Sequence, residues 1–211
     1  MLVLALDTAT PTLVAGVARW ADGTVEVLAE QAVPSGNKHA ELLTPAIRAV
    51  LGDAGTAMGD LDAVVVGLGP GPFTGLRVGV VTAATLADAR RLPAVGVCSL
   101  DAIGDGGRTV VTDARRKEVY WAAYDAAGVR VDGPGVERPE ELSARGPFVG
   151  DERFAERLGA EVVDARVTTA GLLQAAAAQL ADPSSAGPLT PLYLRRPDAT
   201  PPASIKTVSQ P

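Results

Sequence analysis

The sequence predicts an α/β protein built on a mixed sheet, and three observations carry that expectation. Short apolar runs separated by turn residues open the chain as an antiparallel meander. A buried strand, a long apolar helix and another strand then follow, an order that implies a right-handed parallel crossover. Hydrophobic residues make up 47% of the 211 positions and charged residues 21%, which is enough apolar side chain for a real core.

Residues 2–7 are an apolar run of buried-strand type ending in Asp7. Thr8-Ala9-Thr10-Pro11 turns the chain, and residues 13–20 read as a second strand. Asp22-Gly23 marks a tight hairpin into a third strand, 25–33. Residues 38–51 place Leu42, Leu43, Ala46, Ile47 and Val50 at helical spacing, with Gly52 past the end. Pro45 removes one backbone bond from that helix, so a kink, or a helix that starts only near Pro45, is expected. Residues 61–68 predict a buried strand, 73–91 a helix closed by Pro93, and 94–98 a short strand.

Beyond Leu100 the texture changes. Strands are expected at 109–112 and 118–124, joined by the charged turn Asp113-Ala114-Arg115-Arg116-Lys117. Gly- and Pro-rich loops follow, then a strand at 147–150 and helices near 152–158 and 169–180, the last capped by Thr168 or Thr169. Residues 191–195 form a final ordered element, and the Pro-rich stretch 196–211 is expected to be a disordered tail. No internal repeat at a fixed period is visible.

Charge and cysteine usage narrow the function. A net charge of −6 argues against a chain that grips nucleic acid by itself, although a local basic patch remains compatible with it. Cys98 is the one cysteine, so no intramolecular disulfide forms. The N-terminal run lacks the basic region and cleavage site of a signal peptide. No apolar stretch reaches the roughly 20 residues that span a bilayer. A cytoplasmic protein without membrane contact is expected.

The segment Gly67 to Gly79 is the most informative. Its Gly-rich turn between strand and helix could bind an anion through free amides, or could be a rigid structural turn. Pro70 and Pro72 supply no N–H, and the Gly-Lys-Ser/Thr of a phosphate-binding loop is missing. In the helix that follows, Gly75, Gly79, Ala83 and Ala87 recur every fourth residue and make one face nearly bare. Leu76, Val78, Val80, Val81 and Leu86 make the other faces apolar. A helix apolar nearly all round is buried on more than one side. The bare face is therefore expected to await a helix of a partner chain, packed at the short end of the usual range; the alternative is a face covered by the chain itself.

Catalytic constellations are sparse. His39 is the single histidine and cannot form a two-histidine metal site, so no metal is expected. No Gly-x-Ser-x-Gly elbow occurs, and Cys98 reads as a structural thiol. Asp7 and Thr8, at the end of the first strand, stand where sugar-kinase-like folds approach a nucleotide phosphate and its magnesium. The other reading is a turn-forming aspartate.

Several segments together resemble one family. Leu4-Ala5-Leu6-Asp7-Thr8-Ala9-Thr10, Lys38-His39-Ala40-Glu41-Leu42-Leu43-Thr44-Pro45 and Gly67-Leu68-Gly69-Pro70-Gly71-Pro72-Phe73-Thr74-Gly75-Leu76-Arg77-Val78-Gly79 resemble its opening blocks. Asp113 to Trp121 and Pro191-Leu192-Tyr193-Leu194-Arg195 resemble its later ones. The family is TsaB, also called YeaZ, of bacterial tRNA threonylcarbamoyladenosine synthesis.

The resemblance implies an actin/hexokinase-like (ASKHA) two-lobe fold, with a first lobe at 1–104, a smaller second lobe at 105–195 and the tail beyond. It implies a non-catalytic scaffold subunit that binds the catalytic subunit TsaD, with the ATPase TsaE docking on that pair and tRNA reached through the complex. The implied interface is His39, Leu42, Leu43, Ala46, Ile47 and Val50 on the first helix, with Gly75, Gly79, Ala83 and Ala87 on the second. No tightly bound cofactor is implied, and ATP or ADP would sit only at the complex interface. A homodimer on the same helices, or a stand-alone ASKHA-type ATPase, kinase or peptidase-like enzyme, are the competing readings. Two departures from the family stand out: residues 101–108 are short and Gly-rich where a longer helix is usual, and Pro72 replaces a common serine.

Overall fold

Successive side chains along β1 (Leu2–Asp7) point to opposite faces. Leu4 and Leu6 go one way, Val3 and Ala5 the other, and all four are fully buried. A strand with no exposed face needs a layer on each side, and that need organises the chain. In the computed structural model, which describes residues 1–36, 38–143 and 146–195, β1 pairs antiparallel with β2 (Thr12–Ala21), and β2 pairs antiparallel with β3 (Thr24–Pro34). Helix α1 (His39–Asp53) leads to β4 (Ala63–Gly67), which lies parallel to β1. Helix α2 (Phe73–Arg90) crosses to β5 (Ala94–Val97), parallel to β4. The sheet order is β3-β2-β1-β4-β5.

The second half repeats this plan. Strands β6 (Arg108–Asp113), β7 (Val119–Tyr124) and β8 (Arg130–Glu137) form an antiparallel meander. Strand β9 (Phe148–Gly150) then lies parallel to β6; after the single-turn helix α3 (Ala155–Leu158), β10 (Val162–Asp164) lies parallel to β9. The order β10-β9-β6-β7-β8 is that of the first sheet. Topology is duplicated without a sequence period, because the connections differ in length between the halves.

Three apolar clusters hold the layers. One face of the first sheet packs Leu4, Leu6 and Val66 against Leu43, Ile47 and Val50 of α1 and Val80 and Ala83 of α2. Its other face meets the second sheet, where Val3, Ala5 and Val65 join Leu100, Val110, Tyr120 and Leu172. The outer face of the second sheet carries a smaller cluster around Val111, Trp121, Phe148 and Phe154. Although it follows the second sheet in the chain, α4 (Thr169–Ala175) lies against β2 and β3 of the first. Thr168 caps it, accepting from the Gly171 amide at 3.0 Å.

Several local expectations are corrected. The helix expected at 169–180 divides at Ala176, whose φ of −91° and ψ of 0° separate α4 from α5 (Ala177–Ala181). Helix α1 runs through Pro45, which sits on its exposed side, so the helix does not wait for that residue. Strand β8 was expected as loop, since Gly133, Pro134 and Gly135 interrupt its pattern. As the edge of the sheet it tolerates them, because an edge strand leaves one row of amides unpaired. Residues 191–195 form neither helix nor strand; they are held where the Leu192 amide donates to the Leu68 carbonyl at 2.8 Å. The expected tail, 196–211, lies outside the described residues. No helix among the described residues is long and apolar enough to cross a membrane.

The α4–β2 contact is close enough to test. A Cβ placed on Gly16 would stand 2.8 Å from the Thr169 Cβ, and the Thr169 hydroxyl is buried without a partner. Overpacking of this kind costs about 1–3 kcal/mol. Gly16→Ala is expected to lower the unfolding free energy by that amount in urea titrations, and adding Thr169→Ala should recover part of the loss.

Candidate functional site

The β1–β2 turn, Asp7-Thr8-Ala9, is held by four glycines at four-residue intervals: Gly67, Gly71, Gly75 and Gly79. A side chain on Gly67 would run into the Asp7 carboxylate, one on Gly71 into the Ala9 backbone, one on Gly75 into the Thr8 carbonyl and one on Gly79 into the Thr8 hydroxyl. The Thr8 hydroxyl lies across one turn of α2. It donates to the Gly75 carbonyl at 2.8 Å and accepts from the Gly79 amide at 3.1 Å. The bare face of α2 therefore packs on its own chain.

The residues expected at the partner interface lie largely inside the folded chain. Gly75, Gly79, Ala83 and Ala87 are buried, and so are His39, Leu43, Ala46, Ile47 and Val50; Leu42 is half-buried. Small residues at helical spacing reveal that something approaches closely, and here it is the β1–β2 turn and the sheet. A bulky residue at Gly79 or Ala83 would break the fold before it could probe a partner.

Asp7 and Thr8, the residues expected near a nucleotide, are inside the fold as well. Asp7 is fully buried and Thr8 is 1% exposed, and neither lines the cleft between the lobes. The Ser99 hydroxyl donates to Asp7 Oδ2 at 2.5 Å and the Ala9 amide donates to Oδ1 at 2.9 Å. Ser99 in turn accepts from the Gly69 amide at 3.1 Å. Burial pushes the Asp7 carboxyl up to about 6, opposed by the bonds from Ser99 and Ala9 and by the charge of His39. The carboxylate ties the end of β1 to Ser99, just after β5, and through Ser99 to the loop after β4.

His39 lies at the start of α1, and its Nε2 is 2.9 Å from the Thr10 carbonyl. A carbonyl only accepts, so that nitrogen carries the proton. Pro72 caps α2 with no side-chain bond. The short segment 101–108 is organised by the buried Arg108, which donates to the carbonyls of Ile103 (2.6 Å) and Gly106 (2.8 Å) and stacks on Tyr124 (4.0 Å). One long cation thus pins the segment between β5 and β6. No group of three or more metal-ligating side chains converges among the described residues.

Among the described residues, two concave surfaces stand out as open to other molecules. The first is a cleft of about 450 Å3 between the lobes, walled by Thr10 and His39, by Pro72 and Phe73, by Asp113, Arg115 and Tyr120, and by Tyr193 and Arg195. The second is a shallow apolar groove along the outer side of α2, formed by Phe73, Val78 and Val81 beside Ala40 of α1. Val81 is 60% exposed and Phe73 37%. The Arg77 guanidinium covers one side of the Phe73 ring at 3.8 Å, and Tyr193 packs on that ring at 4.8 Å. Sequence reasoning treated Val81 as one of many apolar positions on an apolar helix; only the packing reveals that it points outward.

Two sheets of duplicated topology, joined through a shared core and flanked by helices, with a cleft at the margin between the lobes, define an ASKHA-type two-lobe α/β protein. Residues 27–195 match the family model described as TsaD, tRNA N6-adenosine threonylcarbamoyltransferase. An uncharacterized protein of Mycobacterium tuberculosis is 49% identical over 206 residues, covering 94% of each chain. The Escherichia coli tRNA threonylcarbamoyladenosine biosynthesis protein TsaB is 38% identical over 168 residues, covering 75% of this chain and 68% of its own. Among solved structures, YeaZ from Pseudomonas aeruginosa superposes with a TM-score of 0.71 at 25% identity, over 91% of this chain and 100% of the other. The chain belongs to the TsaB (YeaZ) family.

The buried carboxyl makes a pH test. Its ordinary value is 3.8 and its folded value about 6, so the folded state binds the proton more tightly. The resulting stabilisation is complete below about pH 4 and is lost as pH rises to about 6, a difference of about 3 kcal/mol. Asp7→Asn removes the titration. Between pH 4 and pH 7.5 its stability relative to wild type should shift in its favour by that order, measured by urea unfolding; a constant difference would contradict the assignment.

Proposed function

We propose that the chain is a non-catalytic supporting subunit in tRNA threonylcarbamoyladenosine synthesis, and that it docks on a TsaD-like catalytic subunit through the outward face of α1 and α2. Family membership supports the pathway. The observation that carries the docking is the apolar groove of Phe73, Val78 and Val81 beside Ala40. Apolar side chains standing together at a helix surface favour a partner that removes them from water. The residues assigned to the partner are thus the outer ones of the same two helices, and the inner stripe supports them from beneath.

A supporting role also accords with the state of Asp7. A carboxylate that is sealed from the cleft and bonded to Ser99 and Ala9 is poorly placed to hold a magnesium–nucleotide complex, which disfavours a stand-alone ATPase, kinase or peptidase-like enzyme. In this reading the TsaE-like ATPase joins the pair, ATP or ADP binds only where subunits meet, and tRNA is shared with the complex in the cytoplasm. A homodimer uses the same groove when the catalytic subunit is absent, since the exposed apolar face is the same in both cases.

Mixing the purified chain with a TsaD-like subunit should give a stable heterodimer in size-exclusion chromatography and calorimetry. Val81→Arg, at the centre of the groove, is expected to weaken it by about thirtyfold or more, the scale of a hot-spot residue. Val163→Arg is the control, being a valine on β10 that is 56% exposed and remote from the groove. Equal binding by wild type and Val81→Arg would remove the groove from the interface, and absence of any heterodimer would refute the docking.

A further inference from the structure

Three contacts bring residues 192–195 to the wall of the interlobe cleft. The Leu192 amide donates to the Leu68 carbonyl at 2.8 Å. The Tyr193 ring packs on Phe73 at 4.8 Å, and its hydroxyl accepts from Arg77 Nε at 3.3 Å. Arg195 pairs with Glu118. Tyr193 and Arg195 both line the cleft, so the residues after Arg195 start at its edge. Residues 196–202, beyond the described ones, read Arg-Pro-Asp-Ala-Thr-Pro-Pro.

The cleft suits an extended occupant that brings apolar surface rather than charge. Its charged side chains are already engaged: Arg195 with Glu118, Asp113 with Arg153 at 3.6 Å, and Arg115, which is not free. What remains is a set of flat apolar surfaces, with Pro11, Pro72 and Phe73 from the first lobe, Tyr120 from the second, and Tyr193. Phe73 and Tyr193 keep 37% and 39% of their surface exposed. Aromatic-lined grooves take Pro-rich segments, because proline is already held near the extended form and loses little entropy on docking. Residues 197–202 in that form reach about 19 Å, enough to cross a cavity of about 450 Å3. A segment tethered to the cleft wall is also present there at high effective concentration, so contacts too weak to hold a free peptide can hold this one. The composition that keeps residues 196–211 from building a core of their own does not oppose such docking.

We propose that residues 196–202 lie in the interlobe cleft as a strap, with Pro197, Pro201 and Pro202 packed on Phe73 and Tyr193. The strap fills the cleft with the chain's own residues, keeps small molecules out of it and ties the second lobe to the first. It goes beyond the docking on a catalytic subunit and does not depend on it. Val81, at the centre of the docking groove, is not among the residues that wall the cleft.

The test uses the full chain with a single cysteine introduced at Thr74, which is exposed and lines the cleft, or at Val81 as the reference. Cys98, 7% exposed, sets the background. Each chain is labelled with a thiol reagent under native conditions, with the strap intact or carrying Pro197→Gly, Pro201→Gly and Pro202→Gly together. Glycine removes both the apolar ring and the restricted backbone, and the change touches none of the described residues. Labelling at position 74 should become about tenfold faster, as expected when a tethered contact is released, while position 81 keeps its rate. Equal rates at position 74 with and without the glycines would overturn the strap. So would an equal acceleration at position 81, which would mean a general loosening of α2. Because the chain is measured alone, failure here leaves the docking on a TsaD-like subunit untouched, and failure of that docking leaves this result standing.

Discussion

The fold turns on the contact between the segment Asp7-Thr8-Ala9 and the four glycines spaced along Gly67 to Gly79. Each glycine marks a point where a β-carbon would collide with that segment, and the contact joins β1, the loop after β4 and the first turns of α2 into one unit. Two polar side chains sit inside it. Thr8 bridges a turn of α2, and Asp7 reaches Ser99, just after β5. A buried carboxylate is expensive unless hydrogen-bonded, so the pair Asp7–Ser99 accepts an electrostatic cost in return for a unique register between sheet and helix.

The consequence is a division of labour across α2. Its inner side is small because the turn and the sheet come close. Its outer side keeps Val81 and Phe73 at the surface, and the rigidity of the inner contact holds that outer side in place. The same contact seals Asp7 away from the cleft. One constraint therefore accounts for the stability of the first lobe, the sealed state of Asp7 and the availability of the groove.

Much of this was legible in the sequence. The meander and the crossover followed from apolar runs and turn residues, because strands buried on both faces have little freedom of composition. The four-residue recurrence of Gly75, Gly79, Ala83 and Ala87 announced a close approach, but spacing along one helix says nothing about what approaches. The distinguishing signal was the extension of the same spacing back through Gly71 and Gly67, outside the helix, which points to a contact with the chain's own turn. Strand β8 was hidden by Gly133-Pro134-Gly135, and the exposure of Val81 by an apolar pattern on every side of α2. The cationic turn at 113–117 was visible as a charged turn, while its position on the rim of the cleft depended on the packing of two distant segments.

Thiol accessibility at two neighbouring positions of α2 tests the central claim most directly. Cysteines introduced singly at Ala83, which is fully buried, and at Val81, which is 60% exposed, would be labelled in the isolated chain under native conditions. The account predicts rapid labelling at position 81 and almost none at 83. Equally rapid labelling at both positions would mean that the small-residue flank stands open, and would contradict it.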